Sequence, residues 1–294
     1  MAIVEIKKSN FGYYPDLIGK LLLINNNDTN INKSRLMPPA DVFLSTFNDA
    51  LDSLLFLAEQ TTVQKGESDT SLKNAILLMH YATSNYIDGC ENIIKSLIIN
   101  DDKKCGKAVR EFRNTIKDYI NISTKITNHI KHQHRRVNII HLEVNDEKSF
   151  GYFIEGFIED GIVGPDPVIH KSGSAAFSLK RMLTNHVYYL FHTAYLLDAI
   201  LYSNKVIKKY SDGRIDMDDK KIITLLNILY DSVSFVYPDE VELHNPILSK
   251  KDSVYKIELK KGKPLRRPII YRVQAQLSVP LTCKTIMLPY KILP

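Results

Sequence analysis

The stretch Lys104–Val144, KCGKAVREFRNTIKDYINISTKITNHIKHQHRRVNIIHLEV, holds the change of period on which the fold turns. Up to Arg136, apolar residues recur at helical spacing: Phe112, Ile116, Tyr119, Ser123, Ile126 and Ile130 fall on one face. From Val137 the pattern becomes that of a strand, and a second strand is expected over 150–158 after an Asn-Asp-Glu-Lys turn. One helix over about 104–136, followed by a β-hairpin, is therefore expected. Asp101 and Asp102 before its start and Arg135 and Arg136 at its end complement the helix dipole.

Upstream, two further helices are expected. The first begins at Pro39, a residue suited to a first helical turn, and carries Phe43, Phe47, Leu51, Leu54 and Ala58. The second runs from about Ser71 towards Asn100, with Ile76, Met79, Thr83, Tyr86, Cys90, Ile93 and Leu97 on one face. Downstream of a Gly164-Pro-Asp-Pro167 loop, a fourth helix is expected over about 174–210 and a fifth over about 218–235. Strands are expected at 3–6, 254–259, 269–277 and 283–288, and residues 17–24 read equally as helix or strand. The expected fold class is mainly α: a bundle of four or five helices at 39–236, with a β-hairpin inserted at about 137–163. An N-terminal segment at 1–38 precedes it. A β-rich region at 237–294 follows and is placed to pair with the inserted hairpin.

Composition narrows the function classes. The 294 residues carry a formal net charge of +6 and a pI near 8.9, which permits a polyanionic partner without requiring one. Three widely separated cysteines give neither a disulfide framework nor a cysteine zinc site. No secretory leader and no membrane span are read from the sequence, so a cytoplasmic protein that does not enter a membrane is expected. No phosphate loop, catalytic triad or metal set stands out, and no cofactor is expected.

The chemistry-bearing segment is Lys125–Arg136, KITNHIKHQHRR. At about 100° per residue, Asn128 and His132 lie roughly 160° from Ile130, away from the apolar face. Arg135 continues that stripe, with Lys125, His129, Lys131 and Arg136 around it. Imidazole can give or take a proton near neutrality, and neighbouring cations can hold charge on a phosphate. Those are the parts that metal-free RNA cleavage needs: a base for the 2′-hydroxyl, an acid for the leaving oxygen and a cation for the phosphorane. Set against this, basic residues at a helix C-terminus commonly serve as dipole partners on a solvated face.

Asn128 and His132 on the third helix of a bundle resemble the Arg-Asn-x-x-x-His pattern of the HEPN superfamily. The resemblance spans roughly residues 40–210. It implies a helical bundle, often dimeric, acting as a ribonuclease in toxin–antitoxin, CRISPR or antiviral defence settings, or as an inactive or nucleotide-binding relative. By that resemblance His132 is the acid/base group and Asn128 orients it or the phosphate. Lys125, His129, Lys131, Arg135 and Arg136 then form the RNA-contacting charge. The family's Arg position falls on Thr127, so Lys131, Arg135 or Arg136 supplies the cation, or the site is degenerate and the bundle serves as an interaction or scaffold module for a protein partner. An alternative register, Arg136 with His141, falls across an expected strand.

Overall fold

In the computed structural model of the chain, residues 2–24, 37–62, 69–99, 101–144, 147–159, 162–170, 176–209, 217–232, 240, 244–261 and 291–292 are described. Helices α1 (Leu17–Leu22), α2 (Pro39–Thr62), α3 (Asp69–Leu97), α4 (Asp102–Thr115), α5 (Lys117–Gln133), α6 (Leu179–Ser203) and α7 (Lys220–Asp231) dominate them. The described residues are mainly helical, with two antiparallel sheets among them.

The helices form where the apolar period demands burial. On α2, Phe43, Phe47, Leu51, Leu54 and Ala58 are buried, and on α3 Ile76, Met79, Thr83, Tyr86, Cys90, Ile93 and Leu97 are. The two helices pack along each other and against α6, where Phe47 meets Tyr86 at 5.9 Å and Phe191 at 5.6 Å between ring centroids, both edge-on. Edge-to-face contact of this kind adds roughly 0.5–1.5 kcal/mol beyond area burial.

The single helix expected over 104–136 is two. It breaks at Ile116, which sits at φ −111°, ψ 23° between α4 and α5. The Thr115 hydroxyl donates back to the Glu111 carbonyl at 2.9 Å, a local bond that competes with the helical ladder, while Ile116 itself is buried. The second difference is at the far end: α5 stops at Gln133, three residues early, because His134 takes a left-handed conformation at φ 53°. The backbone N–H groups of His134 and Arg135 both donate to the His129 carbonyl, which closes the helix. At the start of α4, the Asp101 carboxylate accepts from Lys104 N–H at 2.8 Å.

Strands β1 (Ala2–Ile6), β8 (Val254–Lys261) and β7 (His244–Lys251) form one sheet in that order, while β2 (Asn10–Tyr13) lies outside both sheets. The other sheet has the order β3 (Val137–Val144), β4 (Glu147–Glu159), β5 (Ile162–Pro165) and β9 (Lys291–Ile292), with β6 (Phe177–Ser178) also paired to β4. The hairpin is therefore where the sequence places it, with Val144 opposite Glu147. A short C-terminal strand does pair with its β5 arm, at Ile162 and Val163. Strand β7 was not expected. It carries Pro246 and a run of polar residues, which an edge strand tolerates. The strands expected at 269–277 and 283–288 lie outside the described residues. Val4 and Ile6 from the first segment and Tyr255 and Ile257 from the last lie in the same buried core as the helices.

Candidate functional site

Helix α5 separates its residues cleanly. Tyr119, Ser123 and Ile126 are buried, whereas Lys125, Asn128, Lys131 and His132 are exposed, as is Arg136 just beyond the helix. Asn128 and His132 stand one turn apart on the same face, about 5–6 Å between Cβ atoms by helix geometry. Neither makes a hydrogen bond or ion pair among the described residues. The stripe expected from the sequence is thus a solvent-facing surface.

Two of the expected RNA-contacting residues are not free to join it. His129 Nδ1 lies 3.4 Å and Arg135 Nε 3.3 Å from the same carboxylate oxygen, Oδ2 of Asp166. The Arg135 contact is an ion pair without hydrogen-bond alignment. Asp166 itself is buried, its Oδ1 accepts from Val168 N–H at 2.9 Å, and its own N–H donates to the Ile154 carbonyl at 2.8 Å. Gly156 makes this possible: a Cβ there would stand 2.5 Å from Asp166 Oδ2. The Arg136 carbonyl accepts from Glu155 N–H at 2.8 Å, so the hairpin strand β4 fixes the backbone beyond α5 while the Arg136 side chain stays outside. Thr127, at the family's Arg position, is half-buried, and its hydroxyl donates to the His80 carbonyl at 3.5 Å.

A second histidine pair lies inside the bundle. His80 on α3 is hydrogen-bonded through Nε2 to the Tyr152 hydroxyl of β4 at 2.8 Å. His186 on α6 is bonded through Nδ1 to the Tyr119 hydroxyl of α5 at 2.6 Å. The two imidazoles face edge-on, 5.6 Å between centroids. Burial pushes the His186 ring down to about 3, and burial followed by the neighbouring His186 holds His80 well below the usual imidazole range. Both are neutral at any ordinary pH. This pair joins α3, α5, α6 and β4 rather than presenting an acid or base to solvent. His192 is half-buried and stacked on Tyr188 at 5.3 Å.

Other polar side chains outside the α5 face find ordinary partners. Glu155 accepts from Asn138 Nδ2 at 2.7 Å, and Lys260 pairs with Glu258 at 3.4 Å. His141 of the alternative register lies on β3 and contacts Asp69 at 2.9 Å. Burial raises the Cys90 thiol, which leaves it a core residue. Arg266 and Arg267 lie outside the described residues. Among the described residues no cluster of three or more His, Cys, Asp or Glu is set to hold a metal ion, and no helix is long and apolar enough to cross a membrane.

Asp166 and Phe157 were missed by sequence reasoning. Asp166 was visible only as part of a loop signal, Gly164-Pro-Asp-Pro167, and Phe157 only as one more strand residue. Comparison with known protein families, curated proteins and solved structures finds no match for this chain.

Proposed function

We propose that this chain is a HEPN-like RNA-processing or RNA-binding protein that meets RNA with the exposed face of α5. The observation that carries the reading is the pair Asn128 and His132: polar, exposed, one turn apart, unpaired among the described residues, and bordered by Lys125, Lys131 and Arg136. His132 is the acid/base group, Asn128 orients it or the phosphate, and Lys131 and Arg136 supply the charge that Thr127 cannot. Arg135 no longer counts among those cations, because Asp166 neutralises it. A homodimer would bring two such faces together.

One observation favours the non-catalytic alternative, an interaction or scaffold module. The cation adjoining the face, Arg135, is committed to a buried carboxylate, and position 127 offers only a half-buried hydroxyl. The separating experiment incubates the purified chain with a mixed RNA pool, with and without EDTA, beside His132→Ala. EDTA-resistant cleavage lost in the variant supports a metal-free nuclease. Binding without cleavage by either protein supports a degenerate, non-catalytic RNA binder. Neither binding nor cleavage contradicts the RNA reading and leaves the protein-partner module.

A further inference from the structure

The side chains next to the α5 face include an aromatic ring that the fold leaves in solvent. Phe157, near the end of β4, is 59 % exposed, an unusual placement for a large apolar ring. It pairs in register with Val163, and the pairing shifts directly after it, between Phe157 and Glu159. Irregularities of this kind re-aim side chains at sheet ends. The Arg135 guanidinium lies over the ring, 5.3 Å from its centroid. The ring therefore has a guanidinium on one side and still keeps more than half of its surface exposed.

The backing is built rather than incidental. Arg135 is held by Asp166 Oδ2 at 3.3 Å, and Asp166 is locked by Val168 N–H and by its backbone bond to Ile154. Gly156, the residue before Phe157, gives the space in which that carboxylate sits. The same ion pair offsets the charge of Arg135, so Lys131 and Arg136 remain the phosphate partners. An exposed aromatic ring backed by a guanidinium, in a chain whose α5 carries exposed cations, suits a planar, apolar group attached to a polyanion.

We propose that Phe157, backed by Arg135, is a stacking platform for one unpaired base, so that the RNA taken by this face is single-stranded. The inference rests on the RNA reading above and names its substrate class. In an A-form duplex the base faces are covered by their neighbours, and only an unpaired base can present one to a side chain. A phenyl ring carries no hydrogen-bonding group with which to read a base edge, so stacking on it accepts any of the four bases.

The test titrates the full chain with a fluorescent single-stranded RNA and with the same strand in a duplex. It uses the wild type, Phe157→Ala and Phe157→Tyr. A single strand carrying 2-aminopurine reports stacking directly through quenching of its fluorescence. The wild type is expected to prefer the single strand. Phe157→Ala is expected to lose about tenfold in single-strand affinity and most of the quenching, with duplex affinity unchanged, while Phe157→Tyr keeps both. Because the ring is exposed, Phe157→Ala is expected to melt at the wild-type temperature, which separates loss of stacking from loss of fold. RNA binding and quenching unchanged in Phe157→Ala would overturn the platform while leaving the RNA reading intact. No binding of the wild type to either RNA would overturn both.

Discussion

His132 and His186 are the same residue type in one bundle, and the fold sets them to opposite uses. His132 stands on the outer face of α5 with no partner among the described residues. His186 lies in the core with Tyr119 on one nitrogen and the His80 ring 5.6 Å away. The outer residue keeps an imidazole open to solvent and ligands. The inner one is fixed neutral by burial, so its worth is structural: it connects α6 to α5 as His80 connects α3 to β4. The lesson is that a histidine's chemistry in this protein follows from which face of its helix carries it. Asp166 marks the boundary between the two regions, because it takes His129 and Arg135 inward and leaves Asn128 and His132 outside.

The contrast can be broken most forcefully with acid. His80 and His186 have folded-state values below the unfolded one, so the unfolded chain binds protons that the folded chain refuses. Their contribution to stability is complete above about pH 6.5 and is lost progressively as pH falls below it, for His186 down to about pH 3. By pH 5 the expected loss from His186 is about 2 kcal/mol, with a further loss from His80, read as a fall in urea midpoint between pH 7 and pH 5. Replacing His186 with Phe, which cannot protonate, should remove its share of that acid loss; an undiminished loss would place the titration elsewhere.

Truncation of the inner ring comes next. His186→Ala removes a buried side chain and leaves the Tyr119 hydroxyl without its partner, with an expected cost of about 3 kcal/mol in equilibrium unfolding. A cost under about 1 kcal/mol would show that the inner pair is not a structural tie. Asp166→Asn keeps the shape and the Val168 contact but removes the charge shared by His129 and Arg135. The expected loss is about 1–2 kcal/mol, accompanied by faster amide exchange in the last turn of α5. The smallest stability effect is expected outside: His132→Ala should stay within about 0.5 kcal/mol of wild type in the same unfolding experiment. A larger loss would mean that His132 is part of the packing rather than a free group.

Much of this contrast was legible in the sequence because helical periodicity separates inner from outer residues without knowledge of the partners. Phe112, Tyr119 and Ser123 on one side and Asn128 and His132 on the other fell where the period put them. What was not legible depends on contacts across the chain. The break at Ile116 falls where the side chain is buried and the apolar period continues unbroken, so periodicity alone carries no sign of it. The early end at Gln133 goes with the His134 left-handed turn, where Arg135 is drawn towards a carboxylate 31 residues further along the chain. Phe157 stands on the face of β4 opposite the buried Tyr152 and Ile154, and a large apolar ring in an apolar strand gives no sign in the sequence that this face meets solvent. Strand β7 was hidden because an edge strand with Pro246 and several lysines lacks the apolar alternation by which strands are recognised.

The most direct measurement is a titration of single-stranded RNA with the wild type and with a Lys131→Ala, Arg136→Ala variant over a range of salt concentrations. Contact between the α5 face and phosphate predicts that the variant binds more weakly, with the slope of log affinity against log salt shallower by about 1.4, or about 0.7 per lost phosphate contact on a single strand. Equal affinity and equal slope for the two proteins would contradict it, because the exposed basic face would then play no part in meeting RNA.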